Sequence, residues 1–260
     1  MTMTRRMVMA GAAAAPLAGL PLLAARAQMA TPSVAATPTA GAAGIPGFAI
    51  GRVRKLPSAA LNQAIYPDVM TRFLPGTAAI PGFQGYVFAF DETDPAASLT
   101  MTFLASEVAA DAADAYARAY VSQMDPRFVV ATTMAERGPL RIFATTDAPA
   151  AALPPFLNGC VITMRNRTNA PAADIDALVA KVQATLVPTM RAMPGFVLYC
   201  WILTAHGRLT VNIWETDEQL KAGDKAVADW VAANSASTVT DTAVATGRIG
   251  YAILPGVSRP

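Results

Sequence analysis

Residues 80–88 read Ile-Pro-Gly-Phe-Gln-Gly-Tyr-Val-Phe and return at residues 193–201 as Met-Pro-Gly-Phe-Val-Leu-Tyr-Cys-Trp. Each stretch leads into a second alternating apolar run and then into an amphipathic helix that ends in a large aromatic residue, Tyr120 or Trp230. A match of this length predicts two copies of one supersecondary unit. The order of the elements around the repeat therefore decides the fold.

The later copy contains six predicted elements. Its first helix is indicated by apolar residues at i, i+3, i+4, i+7 and i+11, and its second by a Ser/Thr-x-x-Glu/Gln capping box. In order, we predict a strand at 159–166, a helix carrying Ile175 to Leu186 and ended by Pro188 and Pro194-Gly195, hairpin strands at 196–203 and 209–214, a helix opened by Thr216 and Gln219, and a strand at 248–253.

The earlier copy follows the same order. We predict a strand at 48–55, a helix from Ser58 to Phe73, hairpin strands at 84–90 and 99–104, a helix at 107–122 capped by Ser106, a turn at 136–139, and a closing strand at 141–144 that matches 248–251. Both copies read β-α-β-β-α-β, the ferredoxin-like unit, whose four-stranded sheet leaves one apolar face bare. The predicted fold class is α+β: two fused ferredoxin-like units packed sheet to sheet as a pseudo-dimeric α+β barrel with the helices outside.

A family resemblance follows from three motifs. Pro-Gly-Phe opens each second strand, Asn212-Ile213-Trp214-Glu215 ends a third strand, and Asp229-Trp230 lies on the next helix. Together they resemble the dimeric α+β barrel superfamily, and within it the antibiotic-biosynthesis-monooxygenase-like (ABM-like) domains. The resemblance is clearer over 159–253 than over 48–144. Because that family usually builds its barrel from two chains, it implies that this tandem chain forms an internal pseudo-dimer; further oligomerisation is left open.

The N-terminal residues are typical of an export signal. Arg5-Arg6 precedes an uncharged apolar stretch, and Ala25-Arg26-Ala27 is a small-x-small cleavage site. The start resembles a twin-arginine (Tat) signal, with an ordinary Sec signal as the alternative. We predict a signal at 1–27, a flexible Ala/Thr/Pro leader at 28–47, the first unit at 48–147, a linker at 148–157, the second unit at 158–254 and a tail at 255–260. The mature protein is expected to be periplasmic or secreted, with no membrane span.

Composition narrows the chemistry by exclusion. Without the predicted signal the net charge falls from +2 to about −1, because that segment carries three arginines and no acids. No basic stripe remains for nucleic acid. The single histidine, His206, falls in a hairpin turn, so we predict neither a metal site nor a hydrolytic triad. Cys160 and Cys200 fall on strands that the ferredoxin-like order separates by a third strand, so no disulfide is predicted.

The candidate ligand site lies on the second unit. Along the strand 209–214, Asn212 and Trp214 share a face, and Trp230 on the following helix is placed to close over it. A planar ligand could stack there while the Asn212 amide binds its carbonyl or phenol. The resemblance adds Tyr199 to this set of substrate-binding residues. In the alternative interpretation, the two tryptophans only pack helix on sheet.

The resemblance implies an exported protein that binds a small planar or aromatic molecule, with catalysis undecided. The alternative is a cofactor-independent monooxygenase or isomerase that acts on an aromatic or quinol-type substrate, as in some relatives. Other relatives bind haem through a histidine on the second helix, but the helix 217–234 contains no histidine. No cofactor is therefore predicted.

Overall fold

The computed structural model describes residues 45–148, 152–168, 174–234, 240–254 and residue 257. The predicted signal peptide, nearly all of the predicted leader and most of the predicted tail lie outside the described residues. The described ranges contain eight β-strands and six α-helices.

Eight antiparallel strands form one closed barrel in the order β1-β3-β2-β8-β5-β7-β6-β4. Strands β1–β4 with helices α1–α3 are called the first half, and β5–β8 with α4–α6 the second half. The strands are β1 (Phe48–Lys55), β2 (Phe83–Asp91), β3 (Ala97–Leu104), β4 (Ala131–Thr145), β5 (Val161–Thr168), β6 (Phe196–Thr204), β7 (Gly207–Trp214) and β8 (Thr240–Ile253).

Each half contributes its four strands in the spatial order fourth, first, third, second, as predicted. The halves meet where β2 pairs with β8 and where β4 pairs with β6, so their sheets are continuous and the barrel has no free edge. Cys160 precedes β5 and Cys200 lies on β6, with β7 between these strands; both thiols are free and buried. The α+β class and the predicted strand order are confirmed.

The inside of the barrel is filled by apolar side chains that alternate along the strands. Fully buried residues such as Met101, Met164, Leu209 and Val211 belong to this core. Gly51 allows side chains from other strands to meet in the interior, because a Cβ there would lie within 3 Å of the side chains of Met101, Met164 and Leu209. Ligand chemistry therefore has to be sought on the outer face, under the helices.

Six helices cover that outer face: α1 (Ala59–Asp68), α2 (Leu74–Ala78), α3 (Glu107–Ser122), α4 (Ile175–Lys181), α5 (Val187–Arg191) and α6 (Asp217–Asn234). The pairs α1/α2 and α4/α5 are each joined by one π-helical segment, Val69–Phe73 or Val182–Leu186. Of the two predicted stop signals, Pro188 was wrong, since the chain stays helical to Arg191, and the helix ends just before Pro194-Gly195. The wider π turn before Pro188 accommodates a proline ring that an ordinary helix interior would not.

The helix starts agree with the sequence. Ser58 and Ser106 accept hydrogen bonds from the backbone N–H groups of Leu61 and Ala109. In the capping box, the Thr216 N–H donates to Gln219 Oε1 at 3.0 Å and the Gln219 N–H donates to Thr216 Oγ1 at 3.4 Å. These contacts satisfy N–H groups that a helix leaves unpaired at its start.

The prediction of a turn at 136–139 was wrong, because β4 runs through it without a break. Pro139 is the last residue of β4 that pairs with β1, and Leu140 is the first that pairs with β6. The proline therefore lies where β4 stops pairing with β1 and begins to pair with β6. Gly138 is required there because any Cβ would collide with the carbonyl oxygen of Leu203.

Strand pairing also corrects the match between the two closing strands. Pro139 lies opposite Phe48, and Arg248 lies opposite Val161, the first residue of β5. Arg248 therefore corresponds to Pro139 and not to Arg141, a difference of two residues. A shift of two keeps every side chain on the same face, so the apolar pattern alone did not reveal it.

The segment predicted as a linker is partly structural. Leu153 and Leu157 are buried against the barrel core, and residues Pro155–Leu157 form one 3₁₀ turn. Phe156 has φ of 51° and stacks on Tyr251 with ring centroids 4.7 Å apart. The connection between the halves therefore packs against the barrel that it joins.

Candidate functional site

The predicted site residues lie on the helix-facing side of the second half. Asn212 on β7 is directly opposite Tyr199 on β6, and Trp214 follows two residues further along the same face. Tyr199 and Trp214 are buried with residues of α4–α6, and Trp230 is partly buried against the same cluster. The structure thus places all four predicted residues in one layer between sheet and helices.

The two predicted tryptophans do not form an open stacking site. The Trp214 indole lies against Gly223 of α6, where a Cβ would collide with its ring, and Phe196 meets it edge-on at 5.4 Å. Trp230 is half-buried, and its Nε1–H donates to Thr185 Oγ1 at 2.9 Å, which joins α6 to the π segment before α5. Both rings pack helix on sheet, as the alternative interpretation proposed.

Three buried polar atoms in this layer have no hydrogen-bond partner: Asn212 Oδ1, Trp214 Nε1 and Trp201 Nε1. Trp201 lies on β6 opposite Thr210 and on the same face as Tyr199. Asn212 therefore has one indole two residues along its own strand and another diagonally across on β6. Of these three atoms, one is an acceptor and two are donors. Leaving one such buried polar atom without a partner costs about 1–3 kcal/mol.

Sequence analysis overlooked Trp201. The repeat aligns it with Phe88, and an indole in place of a phenyl ring was the signal available. Its role became visible only from the strand register, which places it beside Asn212 on the face that the helices cover.

A buried cation adjoins the group. The Arg208 guanidinium lies 4.8 Å from the centroid of the Trp201 ring, and the residue is only 5% exposed. Burial lowers the pKa of Arg208 and raises the pKa of Tyr199 to about 12, an effect that the charges of Arg167 and Arg208 oppose. The tyrosine hydroxyl is therefore protonated at neutral pH and faces a positive field.

The histidine and the two cysteines lie in the hairpin turn and on or beside strands of the second half. His206 is exposed in the β6–β7 turn, and no cluster of metal-ligating residues occurs in the part of the chain that the structure describes. Burial raises the pKa of Cys160 to about 12 and also raises that of Cys200, so both thiols stay protonated. None of the described helices combines the length and apolar character needed to cross a membrane.

Sequence analysis also overlooked a cleft in the first half. It has a volume of about 540 Å³ and lies between β1, β4 and α3. Ile50, Ala117, Val121 and Val130 supply apolar lining, and the charged groups at its walls are Arg52, Arg54, Arg118, Arg137, Asp114 and Glu136. Four guanidinium groups against two carboxylates make the cleft cationic.

One ion pair recurs in both halves. Arg52 on β1 is paired with Asp114 on α3, and Arg165 on β5 is paired with Asp224 on α6 at 2.5 Å. The strand register makes Arg52 equivalent to Arg165, since they lie opposite Thr100 and Thr210 on the matching third strands. Both aspartates lie seven residues after the first residue of their helix.

Solved structures share this fold at low sequence identity. A candidate monooxygenase from Lactobacillus acidophilus NCFM superposes with a TM-score of 0.57 at 13% identity, covering 80% of this chain and 97% of that one. An anthrone oxidase-like protein superposes with a TM-score of 0.51 at 16% identity, covering 84% and 98%. A candidate chlorite dismutase gives 0.55 at 8% identity, covering 79% and 95%.

No protein-family profile matches the sequence, and no curated protein matches it. The structural similarity therefore shows the fold alone, and the function has to be argued from the site.

Proposed function

We propose that the second half of this protein binds a small hydroxyaromatic molecule between its sheet and its helices. The observation that carries the proposal is the group of three buried atoms without partners, Asn212 Oδ1, Trp201 Nε1 and Trp214 Nε1. A phenolic hydroxyl can donate to the amide oxygen and accept from an indole N–H. One such ligand would therefore give a hydrogen-bond partner to the unpaired acceptor and to one of the unpaired donors.

The ligand would lie in the part of the layer near Tyr199, Trp201 and Asn212. It cannot lie on the Trp214 ring where Gly223 of α6 already packs against that ring. Trp214 then contributes its N–H rather than a stacking face. Trp230 closes the layer at the surface through its bond to Thr185, so entry of a ligand requires the helices to separate at that contact. The names of the structural neighbours agree with small-molecule chemistry in this fold, without fixing the ligand.

The binding test is isothermal titration with a panel of hydroxynaphthoquinones and anthrones. Asn212→Leu keeps the approximate shape of the side chain and removes the acceptor, and Trp201→Phe removes one donor. We expect each to weaken binding about tenfold or more. Asn62→Leu is the matched control, because Asn62 is a buried amide in the first half. Absence of binding by every compound, or equal affinities for the wild type and Asn212→Leu, would refute the proposal.

A second candidate function is oxygenation without a cofactor. The observation that favours it is the buried Arg208 charge beside Trp201 and Tyr199, because a cation in a site of low dielectric stabilises a phenolate. A bound phenolate is electron-rich enough to reduce O₂, whereas the neutral phenol is not. Oxygen consumption with anthrone as substrate, lost in Arg208→Gln, would support this function. Binding without oxygen uptake would leave only the binding role.

We further propose that the barrel is the single-chain counterpart of a dimer, with two ferredoxin-like units from one duplication. The repeated strand order, the paired π segments and the recurrent Arg-Asp pair support this. Expressed separately, each half should be unstable alone, and the mixture should recover the far-UV circular dichroism of the intact chain. Stable folding of an isolated half as a monomer would contradict the proposal.

Export through the predicted signal at 1–27 is the last part of the proposal. It rests on the two arginines and the apolar stretch in the sequence. A reporter fused after Ala27 should reach the periplasm, and exchange of both Arg5 and Arg6 for lysine should block a Tat route while leaving a Sec route intact. Retention of the unmodified fusion in the cytoplasm would refute export.

A further inference from the structure

Arg54 and Arg167 are equivalent residues in different electrostatic situations. Arg54 is the seventh residue of β1, and Arg167 is the seventh residue of β5. Arg167 is ion-paired, with its Nε 2.6 Å from Asp241 Oδ1. Arg54 lines the first-half cleft and forms no ion pair with any residue that the structure describes.

The strand register explains the difference. Arg167 lies opposite Asp241 on β8, and Arg54 lies opposite Thr132 on β4. Both closing strands shift register by one residue at this same point, between Val53 and Arg54 and between Asn166 and Arg167. The backbone geometry is thus shared, and Thr132 stands in the first half where the second half has a carboxylate.

Two other arginines of the cleft, Arg52 and Arg137, already form ion pairs. Asp114 lies between Arg52 and Arg137 and is within 2.8 Å of Arg137. Arg137 also pairs with Asp111 at 2.8 Å. The Glu136 carboxylate accepts a hydrogen bond from Asn166 at 2.6 Å. Arg54 therefore faces the cleft as an unpaired guanidinium.

We propose that the first-half cleft binds an organic carboxylate, whose acid group pairs with Arg54 as Asp241 pairs with Arg167. The apolar part of the ligand lies against Ile50, Val121 and Val130, which line the same space. A guanidinium binds a carboxylate with two parallel hydrogen bonds, which gives direction as well as charge. Arg118, on the α3 side of the cleft, adds a further positive charge to the lining.

The size of the cleft fits this class of ligand. A volume of about 540 Å³ lies in the ordinary range for small-molecule sites. The lining combines charged groups with small and branched apolar residues, which suits a molecule with an acidic group and an apolar part. The site is separate from the buried group around Asn212, so the two proposals stand or fall independently.

The test uses octanoate as the probe and octanamide as its uncharged counterpart, in isothermal titration with the full chain. We expect octanoate to bind at least about tenfold more tightly than octanamide. Thr132→Asp should supply the missing carboxylate from within and weaken octanoate binding about tenfold or more. Because Thr132 is exposed, this variant is expected to fold. Arg54→Gln should give a similar loss.

Matched controls separate the site from general charge effects. Arg127→Gln removes an exposed arginine of the first half that does not line the cleft, and Asn212→Leu alters only the second-half group; neither should change octanoate affinity. Equal affinity for octanoate and octanamide would overturn the proposal. So would unchanged binding in Thr132→Asp and Arg54→Gln, or the absence of octanoate binding at about 10 mM.

Discussion

The two halves of the barrel have the same strand order and differ in how they treat their buried polar groups. In the first half, Asn62 Nδ2 donates to the carbonyl oxygens of Ala97 at 2.7 Å and Pro95 at 3.1 Å, whereas Asn62 Oδ1 has no partner. In the second half, the Asn212 amide oxygen is likewise without a partner, and it shares its layer with two unpaired indole N–H groups. The arginines also differ, since Arg167 is paired and Arg54 is not. The second half thus gathers three unpaired polar atoms in one layer, and the first half leaves Arg54 unpaired.

The comparison shows where to look for function in a duplicated fold. Where equivalent positions carry equivalent contacts, as in the Arg52–Asp114 and Arg165–Asp224 pairs, the contact belongs to the fold. Where one half lacks a contact that the other half makes, binding of an external ligand at the unpaired group would explain the difference.

The recurrent ion pairs should differ in their contribution to stability. Asp114→Asn removes the carboxylate between Arg52 and Arg137 and leaves Arg52 without an ion pair, although Arg137 retains Asp111; Asp114 is only 12% exposed. We expect a loss of about 3 kcal/mol. Asp224→Asn should cost about 1 kcal/mol, because Arg165 retains Asp241 at 3.2 Å. Urea unfolding followed by circular dichroism measures both, and equal losses would contradict this account.

Part of the alkaline destabilisation should come from the second half, which holds both thiols. The folded pKa of Cys160 is raised to about 12 by burial, above its unfolded value, so its contribution to stability is present below about pH 8.5 and is lost as the pH rises toward 12. Between pH 8 and pH 10 we expect the free energy of unfolding to fall by about 1–2 kcal/mol through this group.

The check is urea unfolding at several pH values for the wild type and for Cys160→Ala, which should show a smaller decrease. An identical pH dependence in the two proteins would remove Cys160 as the cause.

The buried amides should respond in opposite directions to the same change. Asn62→Leu removes the two hydrogen bonds that Asn62 Nδ2 donates to the carbonyls of Pro95 and Ala97, so we expect a loss of about 2 kcal/mol. Asn212→Leu removes an unpaired acceptor, and we expect a gain of about 1 kcal/mol. Thermal unfolding of the two variants decides; destabilisation by Asn212→Leu would mean that the amide has a structural partner.

Asp241→Thr gives the second half the residue that the first half has opposite its arginine. The change leaves Arg167 unpaired, and we expect a loss of about 1 kcal/mol, since Asp241 also contacts Arg165. If the missing carboxylate defines the first-half site, the variant should bind octanoate at two sites per chain instead of one. If the titration still fits one site, the missing carboxylate does not define the binding site alone, and the shape of the first-half cleft is also required.

Much of the fold could be predicted because local patterns agreed with the final structure. Both long helices, Glu107–Ser122 and Asp217–Asn234, and the strand Phe48–Lys55 occur with the predicted bounds. The errors occurred where tertiary contacts override local preference. Pro139 marks a change of pairing partner within β4, and Pro188 follows a π turn. Neither circumstance is visible from the proline alone.

The candidate site was predicted less completely than the fold. Alternation along β7 placed Asn212 and Trp214 on one face, and the structure confirms that geometry. The contribution of Trp201 depends on cross-strand register, and the close approach of Gly223 to Trp214 depends on helix position. Arg54 is unpaired because the residue opposite it, Thr132, carries no carboxylate. Only the alignment of both closing strands reveals this difference.

Because a single polypeptide supplies all eight strands, a substitution appears once in the barrel rather than twice. In an assembly of two identical chains, an aspartate opposite one arginine would necessarily stand opposite its symmetry mate, and both clefts would be filled or empty together. Here Asp241 can neutralise its arginine while Thr132 leaves the other exposed to solutes. Continuity of the backbone thus permits two unlike recognition surfaces on one nearly symmetric framework.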